Sequence, residues 1–195
     1  MRVVVRLSRL LAVVVVAFLF CVLAWRLVAG HQGVAFAEAI RDGSSPRAPG
    51  FDLSVIYEDT STWPVALRRR ITDGRLSSSE LVGVPYVLNF YASYCGPCRD
   101  EASILDTAAG TYAGRVAFVA VDTQDFSGDG RRFAERFSFP FAAIHDGSGA
   151  VGRRWGLTGI PETYAVDREG RAVGHVVGRI DDQELEALIS RLGAG

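Results

Sequence analysis

Residues 85–92 read Pro-Tyr-Val-Leu-Asn-Phe-Tyr-Ala, a nearly continuous apolar run, and a helical pattern begins three residues after it. A strand apolar on both alternating faces must be covered from two sides, as parallel strands with crossover helices are. The helix is expected over 95–112, where Cys98, Ala102, Leu105, Ala109 and Tyr112 recur at three- and four-residue spacing. The same alternation continues downstream. Val116 to Val121 reads as a second buried strand ended by Asp122, 129–138 as a short helix, Phe141 to Ile144 as a strand and Gly149 to Gly156 as a helix. Glu162 to Val166 and Ala172 to Val177 form a hairpin around the Asp167–Gly170 turn, and a final helix starts at Asp181 with Glu184 as its capping-box partner. This order predicts an α/β fold: a mixed sheet, parallel strands followed by an antiparallel hairpin, flanked by helices. Upstream, Phe51 to Tyr57 alternates weakly as a strand. Residues 58–83 carry only turn signals and one helical turn near Ser77–Leu81, with an Arg68–Arg70 cluster read as solvated or membrane-facing.

The amino end is of a different kind. Residues 10–25 are sixteen apolar residues without a charge, preceded by Arg2, Arg6 and Arg9. Residues 1–9 then make a basic cytoplasmic stretch and 10–29 a transmembrane anchor, with Arg26 snorkelling to the outer interface. A cleaved signal is the competing reading, but its best site, Ala35-Phe36-Ala37, lies rather far downstream. Either way the remaining chain is expected outside the cytoplasm, on the far face of the cell membrane. Residues 30–50 are small, polar and Pro/Gly-bearing and read as a linker, which leaves 51–195 as one domain. Charge follows the same division: five Arg oppose two acids over 1–45, and sixteen Arg oppose twenty acids over 46–195.

Composition then narrows the chemistry. All 21 basic residues are Arg, which excludes Schiff-base catalysis and a P-loop lysine. A net charge of −1 argues against a nucleic-acid partner. Three Cys are too few for a disulfide scaffold, so each must be weighed by its position. Cys21 lies inside the apolar span and reads as an inert membrane residue.

Cys95 and Cys98 stand together in Cys-Gly-Pro-Cys at the strand-to-helix turn. The free amides and partial positive charge of a helix N-terminus stabilise a thiolate there, so Cys95 is the expected nucleophile with a lowered pKa. Cys98, one turn on and on the apolar face, is placed to resolve a mixed disulfide on Cys95. Pro97 sits in the first turn, where a missing amide proton costs little. A structural zinc site needs four ligands, and the scattered His31, His145 and His175 do not supply them. The chemistry calls for no metal and no cofactor. His145 and His175, near strands, read as packed or exposed residues.

The segment Asn89-Phe-Tyr-Ala-Ser-Tyr-Cys-Gly-Pro-Cys-Arg-Asp-Glu101, followed by Gly159-Ile-Pro-Glu-Thr-Tyr-Ala-Val-Asp167, resembles the TlpA/ResA/CcmG group of membrane-anchored thioredoxin-like proteins over about residues 50–193. The resemblance implies a thioredoxin fold with an N-terminal extension and a central insert at about 123–145. It implies an extracytoplasmic thiol–disulfide oxidoreductase, often a reductant of apocytochrome c haem-site cysteines, re-reduced by a membrane donor of the CcdA/DsbD type. It further implies a cis Pro161 packed beside the cysteines, with Ile160 backbone available to an extended client segment. Tyr94, Gly96, Pro97, Ile160, Pro161 and Glu162 are then the client-binding residues. Glu101 matches the family carboxylate three positions after the second Cys, where a half-buried acid relays a proton to or from Cys98; a solvated Glu paired with Arg99 or Arg115 is the alternative. Glu162 shapes client docking or is an exposed strand-start carboxylate.

Departures from the group are Tyr94 and Tyr91 in place of Trp, and the long Arg-rich stretch 58–83. Asn89 stands where cytoplasmic thioredoxins place a buried Asp. Gly-Pro between the cysteines is the dipeptide of reducing members, which favours disulfide reduction by a monomeric domain on protein thiol clients. The alternatives are oxidase- or isomerase-type repair, and a copper chaperone, which needs three residues between its cysteines where this chain has two. A thiol peroxidase is disfavoured because the first Cys sits in Cys-Gly-Pro-Cys.

Overall fold

The computed structural model describes residues 2–68, 70–71 and 73–193, with residues 2–12 and 25–32 described by backbone alone. Among the described residues seven strands form one sheet: β1 (Asp52–Tyr57), β2 (Arg75–Ser77), β3 (Tyr86–Tyr91), β4 (Ala117–Thr123), β5 (Ala142–Asp146), β6 (Glu162–Val166) and β7 (Ala172–Val177). The helices are α1 (Arg2–Arg41), α2 (Val65–Arg68), α3 (Gly96–Thr111), α4 (Ser127–Arg136), α5 (Ala150–Arg154) and α6 (Asp182–Ser190), with a 3₁₀ turn at Ser78–Leu81. Sheet order is β2-β1-β5-β4-β3-β6-β7. β3, β4 and β5 are parallel neighbours, while β6 runs antiparallel beside β3, β7 antiparallel beside β6 and β1 antiparallel beside β5.

β3 lies between β4 and β6, and all six of its residues are buried. That burial is what a two-sided apolar run requires. The helices after β3, β4 and β5 fall where the periodicity puts them, and Asp181 and Glu184 close the reciprocal cap of α6. β4 differs from expectation: it runs through Asp122 to Thr123, and Asp122 is buried within the strand. The indeterminate stretch 58–83 supplies the edge strand β2, antiparallel on β1, and Trp63, wholly buried, whose Nε1–H donates to the Phe118 carbonyl at 2.8 Å. Of the arginine cluster, Arg68 donates to the Trp63 and Ser61 carbonyls and Arg70 to that of Glu80. Arg69 lies outside the described residues.

The expected linker over 30–50 is not one. α1 continues without a break to Arg41, and Phe36, Ala37 and Ile40 are buried against the domain. Those three residues sit at helical spacing, which a composition of small and polar residues concealed. Gly43 turns the chain, and the Pro46 carbonyl and Ala48 amide bond across to Ala172 and Gly170, so residues 46–48 run along the edge of β7. The folded unit thus begins near Gly33 rather than Phe51. Side chains 13–24 are exposed on α1. The anchor expected over 10–29 lies partly outside the residues described with side chains; among the described residues no helix is long and apolar enough to cross a membrane.

Candidate active site

The register Phe90↔Glu162 sets the C-terminal end of β3 against the start of β6. The Cys-Gly-Pro-Cys turn that follows β3 and Pro161, which precedes β6, thus lie at the same end of this strand pair, and the Ile160–Pro161 peptide is cis. Cys95 caps α3: its Sγ accepts the Cys98 amide at 3.1 Å, as the helix-start argument requires. The two cysteines are joined as a disulfide with Cα atoms 5.3 Å apart, and they are 6% and 2% exposed. Around them Gly96 and Pro97 are exposed, Ile160 is half-buried and Tyr94 is 62% exposed. The candidate contact residues of the turn thus face solvent, and Pro161 is buried.

Glu101 is 1% exposed and is not the solvated, arginine-paired residue of the alternative reading. Oε1 accepts from Asn89 Nδ2 at 2.7 Å and Oε2 from the Ile180 amide at 3.0 Å. Asn89 spends its second amide proton on Thr163 Oγ1 at 3.0 Å, across the β3–β6 pair. Burial pushes the Glu101 carboxyl up to about 7, against the opposing pull of the Ile180 and Asn89 bonds and the Arg179 charge. A carboxyl poised at neutral pH one helical turn beyond Cys98 is chemically able to accept or return a proton there. Arg99 instead donates to the Ser93 carbonyl at 3.3 Å.

Glu162 is not the exposed strand-start carboxylate of the alternative reading. It is 0% exposed, and both of its oxygens are hydrogen-bonded within the domain. Oε1 accepts from the Thr158 amide, the Thr158 hydroxyl and the Gly159 amide at 2.8, 2.6 and 3.0 Å. Oε2 accepts from His175 Nε2 at 2.7 Å and lies 3.2 Å from the Tyr164 hydroxyl. Burial raises its carboxyl, but the His175 and Thr158 bonds outweigh that and hold it below the ordinary carboxylate value. Glu162 thereby fixes the loop that carries Ile160 and Pro161.

A second acidic group, which sequence reasoning passed over, lies beyond Ser93. Asp125 accepts the Ser93 amide at 2.6 Å and its own neighbour Phe126 at 2.7 Å. Asp122, wholly buried, meets His145 Nδ1 at 2.7 Å, and no hydrogen bond from the described residues reaches its other oxygen. Burial pushes Asp122 up to about 7. The sequence signal was an Asp closing an apolar strand, with a second Asp three residues on. The two histidines are both packed, each against a buried carboxylate.

Residues 47–174 match the AhpC/TSA family. The thiol:disulfide interchange protein CycY of Rhizobium leguminosarum bv. viciae is 36% identical over 114 residues, 58% of this chain and 60% of that protein. The thiol:disulfide interchange protein DsbE of Xylella fastidiosa (strain 9a5c) is 26% identical over 140 residues, 71% of this chain and 64% of its own. The chain therefore spans less than two thirds of the length of these relatives. In three dimensions it is similar to a putative thiol:disulfide interchange protein DsbE from Chlorobium tepidum, with a TM-score of 0.62, 27% identity and coverage of 77% of this chain and 96% of that one. The thioredoxin-like α/β fold and the relatives' names agree with the resemblance carried by the two sequence motifs.

Proposed function

On the premise that this chain belongs to the AhpC/TSA family, we propose that it is a thiol–disulfide oxidoreductase that reduces protein disulfides. The observation that carries the reading is the Cys95–Cys98 disulfide at the start of α3, with Cys95 Sγ on the Cys98 amide. In the reduced protein that amide and the helix N-terminus stabilise a Cys95 thiolate. The thiolate attacks one sulfur of a client disulfide, forming a mixed disulfide and expelling the other client sulfur as a thiolate, which takes a proton. Cys98 Sγ, giving its proton to Glu101, then attacks Cys95 Sγ. The Cys95–Cys98 disulfide forms, the second client sulfur leaves and is protonated, and two electrons have passed to the client. Turnover requires a dithiol donor to return those electrons.

Within this reading the site-facing backbone of Ile160 pairs with an extended client segment, and Tyr94, Gly96, Pro97 and Pro161 form its contact surface. The basic residues before 10–29 and the apolar character of that segment support a single-pass anchor with the domain on the extracytoplasmic side of the cell membrane. The donor is then a membrane protein of the CcdA/DsbD type and the clients are extracytoplasmic protein thiols, apocytochrome c among them, met by a monomer. Equilibration in a glutathione series tests the direction of transfer. A potential below about −200 mV is expected for a reductant, and a value near −120 mV overturns it.

A further inference from the structure

We propose that the last turns of α1, residues 33–41, are a positioning element of the redox site, acting through Phe36. The proposal rests on the reading that Ile160 backbone pairs with an extended client. Phe36 is buried, with its ring edge-on to Trp155 at 5.6 Å and stacked on Tyr164 at 6.2 Å. Trp155 and Tyr164 are themselves packed at 5.1 Å, and the Tyr164 hydroxyl shares its proton between the Trp155 carbonyl at 2.8 Å and Glu162 Oε2. Tyr164 also lies flat on His175, ring centres 3.9 Å apart, and His175 bonds the same Glu162 oxygen. Tyr164 thus packs against both Phe36 and His175, and both routes end on the carboxylate that holds the Thr158 and Gly159 amides just before Ile160.

The helix is seated firmly enough to serve as such a brace. Gly33 of α1 and Gly156, which follows α5, meet backbone to backbone: a Cβ on either would collide with the main chain opposite. Gly156 also holds a φ of +75°, so the position demands glycine twice. A close-packed contact of this kind transmits displacement rather than absorbing it. Remove the Phe36 ring, and Tyr164 gains room to tilt away from Glu162, which loosens the Thr158–Pro161 loop without touching the cysteines. Since α1 runs unbroken from Arg2 to Arg41, the same helix that carries the apolar segment also carries this brace.

The test compares the full chain with Phe36→Ala in detergent micelles, both reduced with dithiothreitol and desalted, against two disulfides. Hydroxyethyl disulfide needs only the thiolate; a synthetic peptide homodimer joined through a central cysteine with Thr and Ala flanks also needs the Ile160 backbone. The expected result is an about tenfold slower reaction with the peptide, the scale of a lost main-chain hydrogen bond or two, and a change of less than about twofold with hydroxyethyl disulfide. Amide exchange at Thr158 and Gly159 is expected to quicken. If both rates fall together, or neither changes, the brace is overturned. If the wild type reduces neither disulfide, the parent reading fails, and the two amides still decide the brace: unchanged exchange in Phe36→Ala refutes it. Phe36→Leu, which keeps bulk but loses the stacked ring, replaces the alanine variant if that one does not fold, with the same outcomes read.

Discussion

Replacing Glu101 by Gln removes an ionisable group whose pKa the fold raises from 4.5 to about 7. A carboxyl raised in the folded state favours folding while it is protonated. Its contribution is fully present below the unfolded value and is lost as pH rises through the folded one. The difference of about 2.5 units at 1.36 kcal/mol each gives a loss of about 3 kcal/mol between pH 4.5 and the region above 7. The Gln variant lacks this loss. It also keeps the hydrogen bonds: its oxygen accepts the Ile180 amide, and Asn89 turns over to offer its own oxygen to the new amide, with Thr163 donating its hydroxyl to the same oxygen. Urea unfolding of the oxidised wild type and Glu101→Gln should therefore agree in acid and diverge by about 3 kcal/mol at alkaline pH, with the variant the more stable. For a chain of this length the divergence is about 6–12 °C in Tm. Asp122 titrates in the same range, so the quantity to read is the difference between the two proteins rather than either curve. A difference that stays flat across the range refutes the claim that Glu101 is buried and poised near neutrality, and with it the proton-holding role assigned beside Cys98.

Asp122→Asn should likewise flatten part of the alkaline decline, since burial raises Asp122 to about 7 and its contribution is lost as pH climbs through that value; urea midpoints that fall in parallel for variant and wild type would contradict this. Gly156→Ala places a methyl against the Gly33 carbonyl at a φ of +75° and should cost about 2 kcal/mol or more, read as a Tm several degrees lower by calorimetry. An unchanged Tm would mean that α1 is not seated on α5 as described. Cys98→Ser should accumulate mixed disulfides on Cys95 that are visible on non-reducing gels, while Cys95→Ser should not. Equal trapping by both would reverse the assignment of the nucleophile.

Much of the architecture was legible from the chain because it is encoded locally. The two-sided apolar run of β3, the three- and four-residue spacing of α3 and the capping box of α6 each lie within a few residues, and each element forms where the pattern puts it. The helix-start chemistry of Cys95 is local in the same sense, since its partner amide is three residues away. The helix at 33–41 was hidden because four buried positions, one of them a glycine, among small and polar neighbours make no strong period until the surface they pack on is known. The stretch 58–83 was hidden for a related reason: β2 is only three residues long and is defined by its partner β1.

The fates of the acidic residues divide sequence from tertiary structure most sharply. Sequence alone determined that Glu101 follows the second cysteine by one turn and that Glu162 follows Pro161. It could not determine their burial, because part of what covers and satisfies them comes from other elements of the fold. Ile180, 79 residues from Glu101, arrives on the loop between β7 and α6, and His175 reaches Glu162 from the neighbouring strand. A carboxylate in water and a carboxylate under a folded sheet have the same sequence neighbours. They differ in desolvation and in the donors that face them, and only the packed structure sets those.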